Sequence, residues 1–142
     1  MPKKRKKKAP VIACGVAVIR REHEFLIAQR NPSDTFGSFW EFPGGRKNPG
    51  ETFEQCVVRE VKEELGVDVS VERKLMEIRR QFEERVIWLN FYLCEYRSGD
   101  PQPLDCQQVR WTDAVGLKEF RFPPANERVI DALIKEYASQ KP

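Results

Sequence analysis

Apolar and polar positions change period several times along the chain, and each change marks an element. Val11 to Arg20 (VIACGVAVIR) is β-branched and apolar, and Phe25 to Arg30 (FLIAQR) repeats that character after a polar connection at Arg21 to Glu24. The two runs read as a β-hairpin. Asn31 to Ser38 is a loop by composition, Phe39 to Phe42 is a short aromatic strand ended by Pro43, Gly44 and Gly45, and Arg46 to Glu51 is a second loop. The spacing then becomes helical. Thr52 and Gln55 form a T-x-x-Q capping box and Gly66 follows Leu65 as a stop, so a helix is predicted over Thr52 to Gly66. Val67 to Gln81 and Arg85 to Tyr96 read as two long strands, the second apolar enough for the core. Ser98 to Gln102 is a turn, Val109 to Thr112 a short strand, and Asp113 to Phe120 a loop or single helical turn. Asn126 to Tyr137 is amphipathic, with Val129, Ile130, Leu133, Ile134 and Tyr137 predicted inward. Strands surround two helices without regular alternation, which makes the class α+β with a mixed sheet.

The 142 residues amount to one domain. The expected organisation is a basic tail over 1–9, a folded domain over 10–138 and a short C-terminal tail over 139–142. No apolar run approaches the roughly 20 residues that span a bilayer, and the N-terminal residues lack the apolar stretch of a secretion signal. A cytoplasmic protein with no membrane partner is expected. The net charge of +3 changes its meaning when located: Lys3, Lys4, Arg5, Lys6, Lys7 and Lys8 carry six positive charges, and 19 basic residues face 22 acidic ones elsewhere. The tail can be simply solvated or can offer RNA or another polyanion a contact. Its Pro2-Lys3-Lys4-Arg5-Lys6 stretch also resembles a nuclear import signal, which has meaning only in a eukaryote.

His23 is the single histidine, set between Glu22 and Glu24. Ser-His-Asp and Cys-His nucleophiles and most catalytic zinc sites therefore recede. Cys14, Cys56, Cys94 and Cys106 have no C-x-x-C spacing, and reduced, buried thiols are expected. Chemistry in this chain must rest on carboxylates, arginines and metal ions.

On the Thr52 to Gly66 helix, with about 100° per residue and Glu60 as origin, Phe53, Val57, Val61, Leu65 and Val58 fall between about 20° and 160° as the buried stripe. Glu63 and Glu64 lie at about −60° and +40°, so three carboxylates crowd the stripe's margin. One reading is a solvated acidic patch neutralised by Arg59 and Lys62. The other is a divalent-cation site, because hard cations take oxygen ligands and relieve such repulsion. The preceding loop favours the second: Gly44 and Gly45 can bring backbone carbonyls close, Glu51 sits where the loop enters the helix, and Arg46, Lys47 and Arg59 could meet a polyanion. Carboxylates, metal and arginine without histidine suit phosphoryl chemistry.

Gly45, five residues, Glu51, seven residues, then Arg59-Glu60-Val61-Lys62-Glu63-Glu64-Leu65-Gly66-Val67 matches the Nudix box at every specified position. The chain resembles the Nudix hydrolases, and within them the MutT-like branch of 8-oxo-dGTP diphosphatase type. Trp40-Glu41-Phe42-Pro43-Gly44-Gly45 before the box and Phe122-Pro123-Pro124-Ala125-Asn126-Glu127 before the last helix extend the likeness from Val11 to Tyr137. The resemblance implies a mixed-sheet sandwich flanked by helices and a Mg²⁺ or Mn²⁺ cofactor activating water against a nucleoside diphosphate linkage. It implies Glu60 and Glu64 as principal ligands, Glu63 as a further ligand or base, and the Gly44 carbonyl completing the site. Arg59 would hold the box carboxylates, Glu51 would support them without touching the metal, and Arg46 would contact phosphate. Asp105 matches a loop position where the branch has a ligand or base, although Glu is the expectation there.

In that branch the Asn of the P-x-A-N stretch reads the purine edge beside an aromatic wall; here these are Asn126 and Phe42, with Arg30 as a further nucleotide contact and Thr35 at a variable loop position. An amide both donates and accepts, which suits guanine or its 8-oxo form. From the residues alone, Asn126 is equally a helix cap and Phe42 a core aromatic. The implied function is Mg²⁺-dependent hydrolysis of a nucleoside triphosphate, such as 8-oxo-dGTP, to monophosphate and pyrophosphate. The rivals are hydrolysis of the 5′-triphosphate end of RNA, for which the basic tail would help, and a non-catalytic oxoguanine-recognition module, against which the intact box carboxylates stand.

Overall fold

The two apolar runs at the start of the chain form β1 (Val11–Arg21) and β2 (Glu24–Gln29), turning at Glu22 and His23. This is a computed structural model, and residues 9–139 are described. The expected tails at 1–9 and 139–142 therefore lie outside it apart from Ala9 and Ser139. β1 is the spine of a seven-stranded mixed sheet. One edge runs parallel to β6 (Arg85–Ser98), from Val11 opposite Val86 to Arg20 opposite Glu95. The other edge takes β2 near its C-terminal end and β4 (Gly44–Arg46) further back, both antiparallel. β5 (Asp68–Phe82) pairs with β6, while β3 (Trp40–Glu41) and β7 (Gln108–Asp113) pair with β2.

β4 corrects the expectation that Gly44 and Gly45 end a strand and Arg46 opens a loop. Two glycines carry no strand propensity of their own, yet Gly44, Gly45 and Arg46 pair with Val16, Gly15 and Cys14. A Cβ on Gly44 would stand 2.3 Å from the Gly15 carbonyl oxygen, so only glycine allows this approach. β5 also departs from simple alternation: bulges between Val71 and Arg73 and between Lys74 and Met76 shift its register against β6.

The Nudix-box helix, α1 (Phe53–Leu65), forms between the expected caps. Thr52 Oγ1 accepts from the Gln55 N–H at 3.0 Å, Gln55 Oε1 accepts from the Thr52 N–H at 2.9 Å, and Gly66 adopts φ 70° in the left-handed region. Its buried residues are Cys56, Val57, Val61 and Leu65, whereas Val58, expected inward, is 38% exposed. The buried arc is turned towards Glu60 and Glu64, with Cys56 and Val57 packed over Gly15, where an added Cβ would meet their side chains at 3.0 and 2.9 Å. Short 3₁₀ helices at Val115–Glu119 and Pro124–Asn126 precede α2 (Glu127–Tyr137), which buries Val129, Ile130, Leu133 and Tyr137 with Ile134 only partly covered.

Alternation along β1 sends Val16 and Val18 to the α2 side and Ala17 and Ile19 to the α1 side. The sheet is thus packed between the helices, with Phe25, Ile27 and Leu93 buried on the α2 face and Ile19, Leu26 and Leu65 on the α1 face, worth about 1.5–3 kcal/mol apiece. The four cysteines are free; Cys56 and Cys94 are buried as expected, but Cys14 and Cys106 are only partly so because they face a cleft and a loop. Among the described residues no helix is long and apolar enough to cross a membrane.

Candidate active site

Where α2 stops covering the sheet, a cleft of about 320 Å³ opens. Its floor is Cys14 and Val16 of β1 and Leu89 and Phe91 of β6; Gly44 and Gly45 close one end and Phe36, Arg80 and Phe82 the other. Phe42, Pro123, Ala125 and Asn126 form a wall.

At the glycine end α1 lies against β4. A Cβ on Gly45 would stand 2.5 Å from Cδ and Oε2 of Glu60, so the absent side chain makes room for that carboxylate. One turn on, Glu64 Oε2 accepts from the Gly44 N–H at 3.1 Å. Arg59 gathers the remaining carboxylates: Nε donates to Glu51 at 2.7 Å, Nη1 to Glu60 at 2.8 Å and Glu63 at 3.2 Å, and Nη2 to the Arg46 carbonyl at 3.0 Å. Bonds from Arg59, with the Asn48 N–H, hold the Glu51 carboxyl down at about 2, and the Glu51 bond is the first cause raising Arg59 above its ordinary value. Glu63 is the outermost of the group, its side chain 60% exposed.

Glu64 differs in kind. Burial pushes its carboxyl up to about 8, the charges of Glu41, Glu60 and Asp105 push in the same direction, and the Gly44 N–H opposes them. A buried carboxylate among like charges is the situation that a bound cation relieves. The donors at this end are carboxylate and carbonyl oxygens, which suit a hard divalent ion. Among the described residues no three acidic, Cys or His side chains converge on one point, since Glu60 and Glu63 lean on Arg59 and Glu64 on Gly44.

Asp105 lies on an exposed segment latched to the end of α1: the Leu104 N–H donates to the Glu64 carbonyl at 3.1 Å and the Gln102 N–H to that of Leu65 at 2.9 Å. Its charge reaches Glu64, while its backbone carbonyl accepts from Asn31 Nδ2 at 3.4 Å. The Arg46 side chain is exposed beside Cys14. Arg30 is ion-paired with Glu41 and donates from Nε to the Thr35 carbonyl at 2.7 Å, both inside the cleft. Glu41 is the cleft residue that motif reading leaves without a role: burial raises its carboxyl, and Arg30 opposes the rise. The only signal for it is its place in the Trp40-Glu41-Phe42-Pro43-Gly44-Gly45 stretch, three residues before Gly44.

Asn126 is 8% exposed and makes no cap hydrogen bond; its Nδ2 donates to the Pro123 carbonyl at 3.2 Å. Phe42 is both core and wall, 3% exposed and tilted on Phe122 with ring centres 5.2 Å apart. His23 takes no part, lying in the hairpin turn.

A mixed sheet between two helices, with this helix against this glycine strand, defines a class. The chain belongs to the Nudix family: the NUDIX domain model matches residues 15–132. It is a MutT-like member. It is 39% identical over 119 residues to an 8-oxo-dGTP diphosphatase of Escherichia coli, covering 83% of this chain and 92% of that protein. It is 36% identical over 129 residues to an 8-oxo-dGTP diphosphatase of Haemophilus influenzae, covering 89% and 93%. A solved MutT structure, from work on Aliivibrio salmonicida and Vibrio cholerae, superposes with a TM-score of 0.72 at 30% identity, covering 87% of this chain and 96% of that one. Hydrolases of the family use divalent metal ions.

Proposed function

We propose that the chain is a Mg²⁺-dependent nucleoside triphosphate pyrophosphohydrolase that releases nucleoside monophosphate and pyrophosphate, acting on 8-oxo-dGTP or a related oxidised guanine nucleotide in the cytoplasmic pool. The observation that carries it is the meeting of two chemistries at one glycine strand: Gly44 and Gly45 line the cleft that Asn126 and Phe42 wall, and the same two residues contact the Glu64 and Glu60 carboxylates of α1. Glu60, Glu64 and the Gly44 carbonyl would hold Mg²⁺ or Mn²⁺, with Glu63 as a further ligand or base. A divalent ion there supplies charge neutralisation and a nucleophilic water at neutral pH. Arg59 holds Glu60 and Glu63 in place, and Glu51, kept ionised by Arg59, fixes that guanidinium in turn. Arg46 would contact phosphate and Arg30 the nucleotide, and Asp105 is a second candidate base. Asn126 has an amide free of capping duty and able to read the guanine edge through both donor and acceptor.

The test is a turnover panel with Mg²⁺ across 8-oxo-dGTP, dGTP, the other nucleoside triphosphates, ADP-ribose and triphosphorylated RNA. Preference for oxidised guanine is expected, and preference for ADP-ribose overturns the assignment of Asn126. Glu64→Gln should abolish turnover with the fold intact; unchanged activity removes the metal site. The triphosphate end of RNA is kept as a second substrate because of the guanidinium and aromatic side chains at the cleft's far end.

A further inference from the structure

Five side chains, two arginines among three phenylalanines, form a row from outside the cleft into its far end. The Arg121 guanidinium lies 4.2 Å from the Phe39 ring centre, Phe39 lies 5.3 Å from Phe36, and Arg80 lies 5.4 Å from Phe36 and 5.5 Å from Phe82. All but exposed Arg121 are half-buried. Among the described residues neither Arg80 nor Arg121 has a carboxylate at ion-pair distance, whereas Arg85, opposite Phe82, meets Glu83 only at 3.6 Å. Phe36 holds φ 56°, a conformation costly for a bulky residue and retained only where surroundings enforce it. The Arg30 bond to the adjacent Thr35 carbonyl is one such restraint. Packing within a folded core explains none of this, since the row stands at a cleft mouth.

The same end of the sheet is where the basic segment joins the fold. The Val86 N–H donates to the Pro10 carbonyl at 2.9 Å, and Gln81 pairs with Val86. Pro10 therefore lies one residue pair away from the hairpin that carries Arg80, Phe82 and Arg85, and Lys3 to Lys8 precede it in the sequence. Guanidinium groups stacked on aromatic rings, offering planes to bases and donors to phosphates, are recognition chemistry of single-stranded nucleic acid, and successive cations add salt-dependent affinity.

We propose that this row binds a single-stranded polynucleotide leading out of the cleft. Seating its 5′-phosphate end at Glu60 and Glu64 rests on the hydrolase reading; binding by the row does not. The experiment measures fluorescence anisotropy of a labelled, 5′-triphosphorylated single-stranded oligonucleotide, as RNA and as DNA, with the full-length chain and with no divalent metal. The Arg80→Ala and Arg121→Ala variants and a chain lacking residues 1–8 are measured beside it, and KM for the mononucleotide is measured separately. Each arginine substitution should weaken oligonucleotide binding about tenfold more than it raises the mononucleotide KM, and loss of 1–8 should flatten the salt dependence. Binding of either RNA or DNA supports the row, and the tighter of the two identifies its source. Equal shifts for oligonucleotide and mononucleotide, or no shift with either arginine variant, overturns it. Loss of mononucleotide hydrolysis with oligonucleotide binding intact would count against the proposed function alone.

Discussion

At the scale of the residue, Glu64 carries the clearest consequence. Its carboxyl is raised from the ordinary 4.5 to about 8 by burial and by neighbouring negative charge. Between those values the folded, metal-free chain holds a proton that the unfolded chain has released. Folding stability therefore falls as pH rises through that window, by up to about 1.4 kcal/mol per unit from this group alone. Below the window both states are protonated and nothing is lost. Thermal unfolding of the metal-free protein should show a melting temperature that declines from about pH 5 to pH 8 relative to that of Glu64→Gln. Parallel curves would show that Glu64 ionises as a free side chain. Glu60 and Glu64 were legible from helical spacing and box identity, but the difference between them was not. It arises because Arg59 reaches Glu60 and leaves Glu64 to Gly44, a division made by tertiary contacts. Glu41 was illegible for the same reason, its environment being set by burial and by Arg30, Asp34 and Asp105 from other segments.

At the scale of the element, the site is a helix pressed on a three-residue glycine strand, and the two glycines do different work. An added Cβ at Gly45 meets the far end of the Glu60 side chain, which can swing away; one at Gly44 meets Gly15 and Val16 backbone at 2.3 and 2.8 Å, which cannot. Gly45→Ala should thus keep its urea midpoint within about 1 kcal/mol of wild type while turnover falls about 100-fold, the cost of displacing a ligand by an ångström. Gly44→Ala should lose about 1–3 kcal/mol of stability as β4 parts from β1. Wild-type turnover in Gly45→Ala would show that Glu60 does not hold the metal where proposed. The caps of α1 were readable to the residue, because Thr52, Gln55 and Gly66 act locally. β4 was not, since its only strand credential is the partner it finds in β1, 28 or more residues earlier. Val58 failed for a related cause: the apolar stripe was read from the helix alone, while the buried arc is chosen by packing on β1, where Gly15 admits Cys56 and Val57.

At the scale of the molecule, the glycine end is a junction of distant segments. β4 and α1 come from the first half of the chain. The segment bearing Asp105 comes from the second, latched to the Glu64 and Leu65 carbonyls and tied back to β2 through the Gln107 N–H and the Gln29 carbonyl at 2.9 Å. A cation held there binds only the assembled chain, so it must stabilise the whole fold by mass action: about 2.7 kcal/mol when present at a hundred times its dissociation constant. For a domain of this size that corresponds to roughly 5–10 °C in melting temperature. Mg²⁺ added to the chelated protein should produce such a rise. Glu64→Gln should begin higher than wild type at pH 8, having no buried charge to expel, and should gain almost nothing from Mg²⁺. Those two opposed changes in one variant separate a lost ligand from a damaged fold, which would lower the starting point as well. An active wild-type chain whose melting temperature ignores Mg²⁺ would mean that the ion arrives on the triphosphate and that the carboxylates meet it only with substrate in place.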